Sequence, residues 1–139
     1  MIKVFIDGAC EPTNPGGTAA YGLAVYRDDR RIYAKGEIIG QGDSFSNNVA
    51  EYAGLLAFLQ LRKGSESATI YSDSQLLVNQ MSGRWAARKG LYLDSYHRAI
   101  ALCKGQPFSF IWIPREENTE ADILAISALT QVGILVRKR

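Results

Sequence analysis

The sequence predicts an α/β fold: a mixed five-stranded sheet, with three antiparallel strands followed by parallel strands and helices on both faces. Two observations lead to this prediction. Three strand-like segments come first and are joined by short connections, which suit antiparallel pairing. After residue 48, strand patterns alternate with helix patterns, which calls for parallel pairing across helical connections. With 139 residues the chain has the size of one domain.

The first three segments predict strands through their alternation and composition. Every second side chain of residues 2–7 is a branched aliphatic one, which predicts a strand that ends at Asp7. Residues 9–19 contain two prolines and two glycines and predict a loop. Residues 20–27 and 31–39 are rich in strand-forming residues, and the short polar stretch between them predicts an antiparallel hairpin.

The second half is predicted to alternate helices with strands. Residues 47–64 predict a helix whose apolar positions cover almost its whole circumference, so it should be buried on more than one side. Its small residues Ala50, Gly54 and Ala57 form one line where another element could approach closely. The later predicted elements are a strand at 68–72, a short helix at 74–81, a helix at 91–105, a strand at 108–113 and a helix at 119–133.

Composition excludes several classes of protein. Hydrophobic residues make up 47% and charged residues 22% of the chain, which is typical of a globular protein with a full core. Because no apolar run approaches the roughly 20 residues of a membrane span and the N-terminus lacks a secretory signal, we expect a cytoplasmic protein without a membrane partner. Cys10 and Cys103 are too few for a disulfide framework and are expected to be free thiols.

The basic residues cluster although the net charge is only +2. Such clustering permits a polyanionic partner without requiring one. The clustered residues are Arg84, Arg88, Lys89, Arg98 and Lys104 in one segment, and Arg137, Lys138 and Arg139 at the end.

Four carboxylates lie near the predicted ends of elements: Asp7, Glu51, Asp73 and Asp122. Three of them also have a local explanation. Asp73 could cap the short helix that follows it. Glu51 stands three residues after Asn48, which is the offset of a capping box. Asp122 has the same offset from Thr119.

Taken together, the four carboxylates predict a metal site. Element ends of a parallel-type sheet gather at one edge, where α/β folds bind ligands. Glu51 lies on a helix without a polar face, so solvation explains it poorly. Unneutralised carboxylates would repel one another, and a hard cation such as Mg²⁺ relieves that repulsion through oxygen ligands alone. Two such ions about 4 Å apart would hold the attacking and leaving oxygens of a phosphoryl displacement.

Four stretches that span almost the whole chain carry a resemblance to a known family: FIDGACEPTNPGG, NNVAEYAGLLAFL, YSDSQLLVNQM and WIPREENTEADILA. In this order they resemble the type 1 ribonucleases H, in the compact form found in archaea and related bacteria. The resemblance implies that residues 1–139 form a single ribonuclease H catalytic domain. It also implies that Asp7, Glu51, Asp73 and Asp122 bind two Mg²⁺ ions, for which Mn²⁺ can substitute.

The implied activity is that of an endonuclease that hydrolyses the RNA strand of RNA–DNA hybrids. Two-metal-ion catalysis would proceed without a covalent enzyme intermediate and leave 5′-phosphate and 3′-hydroxyl ends. Double-stranded RNA is a further candidate substrate, because some compact members that cleave it resemble this chain. We expect the protein to be a monomer.

The resemblance implies two sets of substrate contacts. The first reads RNA 2′-hydroxyls near the metal ions, and the second holds the DNA strand through a basic segment that contains an aromatic residue. Local alternatives are a helix cap for Asn48, a turn for Asn14 and simple packing for Trp85. The candidate contacts are Gly8, Cys10, Glu11, Asn14, Asn48, Gln75, Trp85, Arg88, Lys89 and Arg115.

The chain departs from the family pattern in the loop before the last carboxylate. Many relatives carry a histidine there, whereas residues 114–118 here are PREEN. His97 lies in the middle of a predicted helix and is expected to face solvent or pack. Arg115 is the first candidate to take over, ahead of Glu116 and Glu117, because arginine can contact a phosphate.

Two other functions are alternatives. A non-catalytic hybrid-binding module would be expected to have lost one of the carboxylates, and all four are present. Another nuclease of the same superfold would carry different acidic spacings. The final segment GILVRKR either packs beside the active-site edge or trails, and the sequence leaves this open.

Overall fold

A computed structural model describes residues 1–137 of the chain, and the basic residues Lys138 and Arg139 lie outside the described residues. Its sheet has the order β3-β2-β1-β4-β5. The β1–β2 and β2–β3 pairs are antiparallel, and the β1–β4 and β4–β5 pairs are parallel. The predicted mixed sheet is confirmed. Its strands are β1 (Ile2–Glu11), β2 (Thr18–Arg27), β3 (Arg30–Gln41), β4 (Ala68–Ser72) and β5 (Phe108–Trp112).

Helices cover both faces of this sheet, as predicted. The helix α1 packs against β1, β2 and α3, which confirms that it is buried on more than one side. On the opposite face, α4 packs against β1, β2 and β3. The helices are α1 (Asn47–Leu61), α2 (Gln75–Met81), α3 (Leu93–Cys103) and α4 (Thr119–Gln131), and a short 3₁₀ helix spans Arg115–Glu117. None of the helices within residues 1–137 has the length and hydrophobicity of a membrane span.

The first strand extends further than its sequence pattern predicts. Asp7 does not end β1, because residues 8–11 continue the antiparallel pairing with residues 18–21 of β2. Asp7 therefore lies inside a central strand, opposite Gly22. The predicted loop shortens accordingly to residues 12–17.

The three capping explanations for the carboxylates are wrong. Ser46 caps α1 by accepting a hydrogen bond from the Val49 amide, so Asn48 lies inside the helix. Ser74 caps α2 in the same way. The N-cap residue of α4 is Asn118, although its side chain makes no cap hydrogen bond. Thr119 therefore lies inside that helix. Serine caps both helices because its short hydroxyl reaches the second or third amide of the first turn.

A buried polar network ties the basic segment after α2 to the core. The hydroxyl of Tyr52, which is fully buried, donates to Gln80 Oε1 at 2.7 Å. The Gln80 amide nitrogen donates to the Tyr92 hydroxyl at 3.0 Å and to the Ala86 carbonyl at 3.4 Å. The Tyr52 and Tyr92 rings stack with their centroids 5.6 Å apart. The segment 82–92 is thus fastened at two points to α1 and α2.

Candidate active site

Three carboxylates from three separate elements converge at one edge of the sheet. One oxygen of each of Asp7, Glu51 and Asp73 lies within 4.8 Å of the others. Asp7 and Glu51 are buried, with exposed fractions of 4% and 5%, and Asp73 is half-buried. Their side chains are close enough for Asp7 to share hydrogen bonds with both Glu51 and Asp73.

Two features bring the three carboxylates together: the parallel pairing of β1 with β4 and the close approach of α1 to β1. The strands β1 and β4 are parallel neighbours, and Asp73 directly follows the end of β4 at Ser72. Glu51 is brought in by α1, which crosses β1 at Gly8. A Cβ atom on Gly8 would lie 2.4 Å from the Glu51 amide nitrogen, so no larger residue fits there. The strand continues through Gly8, and the α1 backbone fills the space that a side chain would take there.

The fourth carboxylate lies beside the other three. Asp122 is not part of the group of three whose oxygens could hold one ion, but its hydrogen bond and its charge raise the pKa of Asp7, and its charge raises the pKa of Asp73. Its position follows from the contact between α4 and β2. A Cβ atom on Gly22 would lie 1.9 Å from the Ala121 carbonyl oxygen, so α4 rests directly on the glycine opposite Asp7.

Burial and mutual repulsion disfavour ionisation of the cluster. Burial, reinforced by the charge of Asp73, raises the pKa of Asp7 to about 8. Burial likewise holds the pKa of Glu51 well above its usual value, and the charges of Asp7 and Asp73 add to the effect. Burial also raises the pKa of Asp73, although the nearby Arg115 guanidinium opposes this. Ionisation of Asp7, Glu51 and Asp73 is therefore disfavoured by the described residues around them.

Sequence reasoning missed Asn118, which belongs to this site. Its side chain is almost fully buried and donates from Nδ2 to the Ile6 carbonyl at 2.8 Å. It also hydrogen-bonds to Asp73 and lowers the pKa of that carboxyl. Asn118 thus links the loop before α4 to the strand that carries Asp7. The available signal was an asparagine four residues before Asp122, but a helix cap explains such a residue equally well.

A cleft of about 640 Å³ opens over the carboxylates and collects most of the predicted substrate contacts. Six predicted residues line it: Gly8, Cys10, Glu11, Asn14, Gln75 and Arg115. Asn48, Trp85, Arg88 and Lys89 are not among its lining residues. Asn14 has a structural part as well, because its Oδ1 accepts the Asn47 amide at 3.0 Å and joins the first loop to α1.

Several other lining residues were not predicted: Ala9, Asn47, Ser74, Trp112 and Arg137. Trp112 is 43% exposed and donates from its ring nitrogen to the Asp73 carbonyl at 3.1 Å. The sequence pattern of residues 108–113 predicts the strand correctly, but it carries no information about the direction in which the Trp112 indole points. Arg137 reaches the cleft from the segment after α4.

The PREEN loop brings a cation to the position where a histidine was expected. Arg115 begins the 3₁₀ helix, lines the cleft, and lowers the pKa of Asp73 through its charge. His97 is exposed on α3, with its ring 5.3 Å from the Tyr96 ring, as predicted. Cys10 and Cys103 are both free, and Cys10 is buried in β1.

The chemistry of the donor set fits a hard divalent cation. Every potential ligand is a carboxylate oxygen, which is the donor that Mg²⁺ and Mn²⁺ accept without histidine or cysteine. Glu51 Oε2 is buried and has no hydrogen-bond partner among the described residues. A buried carboxylate oxygen without a partner is costly, and a bound cation would satisfy it.

This sheet, with an acidic cluster where β4 ends beside β1, defines a ribonuclease H-like domain. A protein family described as reverse transcriptase-like matches residues 5–128. A ribonuclease H from Syntrophus aciditrophicus is 30% identical, over an alignment that covers 92% of this chain and 80% of that protein. The chain therefore belongs to the reverse transcriptase-like family and, within it, to the ribonucleases H.

Two solved structures show the same fold. RNase H1 from the halophilic archaeon Halobacterium salinarum is 30% identical, with a TM-score of 0.82 over 94% of this chain and 98% of that one. The N-terminal RNase H domain of Rv2228c from Mycobacterium tuberculosis is 36% identical, with a TM-score of 0.82 over 94% of both chains. The chain spans 36% of the length of the mycobacterial full-length relatives.

Proposed function

We propose that this chain is an endoribonuclease that hydrolyses the RNA strand of RNA–DNA hybrids and leaves 5′-phosphate and 3′-hydroxyl ends. The observation that carries the proposal is the convergence of Asp7, Glu51 and Asp73 in one open cleft. Relatives named ribonuclease H and ribonuclease HI support the substrate class.

Asp7, Glu51, Asp73 and Asp122 would hold two divalent cations, with Mg²⁺ as the expected ion. When bound, such ions activate water and stabilise charge on the phosphate oxygens during phosphodiester hydrolysis. The residues themselves have separate parts. Glu51 presents a buried oxygen, Asp7 joins Glu51 to Asp73, and Asn118 keeps the loop before α4 against β1. Arg115 balances part of the negative charge beside Asp73.

The hybrid would lie along the cleft and extend to the basic segment. Cys10, Glu11, Asn14 and Gln75 line the cleft near the carboxylates and would contact the RNA strand there. Trp85 is 48% exposed, which leaves about half of its surface available to a ligand. The segment around Trp85 would therefore hold the DNA strand, with Arg88 and Lys89 close to its phosphates.

The decisive experiment is a cleavage assay with an RNA–DNA hybrid labelled on the RNA strand. We expect cleavage in Mg²⁺ or Mn²⁺, none in EDTA, and a loss of at least about 10³-fold in the Asp7→Asn variant. Asp94→Asn is the matched control, because Asp94 is an exposed carboxylate on α3. Equal cleavage by the Asp7→Asn protein would overturn the site assignment.

Other substrates, tested in the same assay, distinguish the alternative functions. Binding of the hybrid without metal-dependent cleavage would favour a non-catalytic binding module. Duplex RNA, single-stranded RNA and duplex DNA test the substrate range. Cleavage of duplex RNA would add that activity, whereas preferential cleavage of duplex DNA would favour another nuclease of the same fold.

A further inference from the structure

The segment after α4 returns to the first strand and reaches the cleft. Ile134 and Val136 pack against the small cluster formed by Ala9, Ala20 and Leu129. This packing leads the chain to the end of β1. The sequence left open whether this segment packs or trails, and the described part of it packs.

Arg137 is held there by three hydrogen bonds to β1. Its backbone amide and its Nε both donate to Glu11 Oε1, at 3.0 Å and 2.7 Å. Its Nη2 donates to the Cys10 carbonyl at 3.0 Å. The two partners are 126 residues apart in sequence. A guanidinium held through two of its nitrogens has a defined orientation.

The two partners differ in their exposure. The Glu11 side chain is buried, with 4% of its surface exposed, whereas the Arg137 side chain is 53% exposed and lines the cleft. A guanidinium has five N–H donors, and the hydrogen bonds to the described residues use two of them. The other three donors have no acceptor among residues 1–137 and can face a ligand in the cleft.

We propose that Arg137 contacts a backbone phosphate of the bound hybrid, and that Glu11 is a positioning residue that orients it. The proposal rests on the proposed function, since the ligand is the hybrid itself. The cleft shared with Asp7, Cys10 and Asn14 is where the RNA strand would pass, and arginine recognises phosphate through paired donors. The segment after α4 thereby adds a cation to a cleft otherwise dominated by carboxylates.

The test is the salt dependence of hybrid binding, measured in the Asp7→Asn background so that the substrate stays intact. Loss of one phosphate contact lowers the slope of log Kobs against log salt concentration by about 0.9. We expect Arg137→Ala to show this decrease and about 5- to 10-fold weaker binding at 0.1 M salt. Arg137→Lys should keep most of the slope, because it keeps the charge.

Two further variants separate phosphate contact from a merely structural role. Arg27→Ala is the matched control, because Arg27 is 51% exposed in an ion pair with Glu66 and does not line the cleft. It should leave the slope unchanged. Glu11→Gln keeps an oxygen acceptor but removes the opposing charge, so it should bind the hybrid more tightly than the parent.

A phosphate scan identifies the contact. Single phosphates of either strand are replaced by neutral methylphosphonates, and each hybrid is titrated with the parent and with Arg137→Ala. We expect one position, or two adjacent ones, to weaken binding to the parent but not to the variant. An unchanged slope in Arg137→Ala together with a lower melting temperature would overturn the proposal. Arg137 would then only stabilise the fold.

The same measurements distinguish this proposal from the proposed function. Binding without cleavage by the wild-type protein would overturn the nuclease activity, while the slope would still test Arg137. Absence of hybrid binding would overturn both. Cleavage by the wild type with no change in the Arg137→Ala slope would overturn the Arg137 contact alone.

Discussion

Single residues of the site are held in environments that ordinary carboxylates avoid. Asp7 lies inside a central strand, and Glu51 has a buried oxygen without a hydrogen-bond partner among the described residues. Both side chains are tolerated where charge is expensive because they are close enough to share protons or a cation. Asn118 completes the arrangement by joining Asp73 to the Ile6 carbonyl.

Asn118 provides a test at this scale. Asn118→Ala removes the donor to the Ile6 carbonyl and leaves a buried carbonyl unpaired, so we expect the free energy of unfolding to fall by about 1–3 kcal/mol. Cleavage of the hybrid should fall as well, because Asp73 loses a hydrogen bond. Urea unfolding and the hybrid assay measure the two effects. An ionised aspartate cannot donate a hydrogen bond, so Asn118→Asp should restore neither the stability nor the activity. Full activity in Asn118→Asp would contradict this role of Asn118.

At the scale of elements, glycines determine how closely the helices approach the sheet. The helix α4 lies on Gly22 and Gly36, whose missing side chains leave room for the Ala121 and Leu124 carbonyls. This contact brings Asp122 beside Asp7. On the other face, α1 crosses β1 at Gly8 and brings Glu51 to the same edge.

Gly22→Ala tests the contact with α4. A Cβ atom would lie 1.9 Å from the Ala121 carbonyl oxygen, so α4 must move, and we expect a loss of about 3 kcal/mol or more of stability together with most of the cleavage activity. Gly54→Ala is the matched control. Its added Cβ would meet Tyr21 at 3.4 Å, an ordinary contact, and alanine favours the helix by up to about 1 kcal/mol. Comparable losses in the two variants, measured by thermal unfolding, would contradict this account.

For the whole molecule, the acidic cluster couples stability to pH and to metal ions. In the absence of metal, the pKa of Asp7 in the folded protein is about 8, against an ordinary value of 3.8. The folded state therefore binds more protons than the unfolded state between these values. The contribution of Asp7 to the free energy of unfolding is therefore fully present below about pH 4 and is lost as the pH rises towards about 8.

We expect this loss to exceed about 1 kcal/mol between pH 5 and pH 8 in EDTA, because each unit of pKa corresponds to about 1.4 kcal/mol. Asp7→Asn should flatten the profile. Mg²⁺ should stabilise the wild-type protein more at pH 8 than at pH 5, since it binds the deprotonated carboxylates. Urea unfolding at both pH values measures all three effects, and stability that rises with pH in EDTA would contradict the expectation.

The sequence by itself determined the order of the elements, the mixed pairing of the sheet and the set of four carboxylates. These depend on local patterns: alternation in β1, an all-round apolar helix at α1, and strands that alternate with helices afterwards. The resemblance to the ribonucleases H rests on the same stretches, and the match to known ribonucleases H confirms it.

Only the tertiary structure decided how far β1 extends, which residues cap the helices, and which distant side chains meet. Strand pairing carries β1 past Asp7 to Glu11 because β2 offers partners there. Asn118 reaches the Ile6 carbonyl across 112 residues, and Arg137 reaches Glu11 across 126. The second contact depends on the packing of Ile134 and Val136 beside β1. A local pattern cannot encode such contacts, because they depend on how separate elements pack against one another.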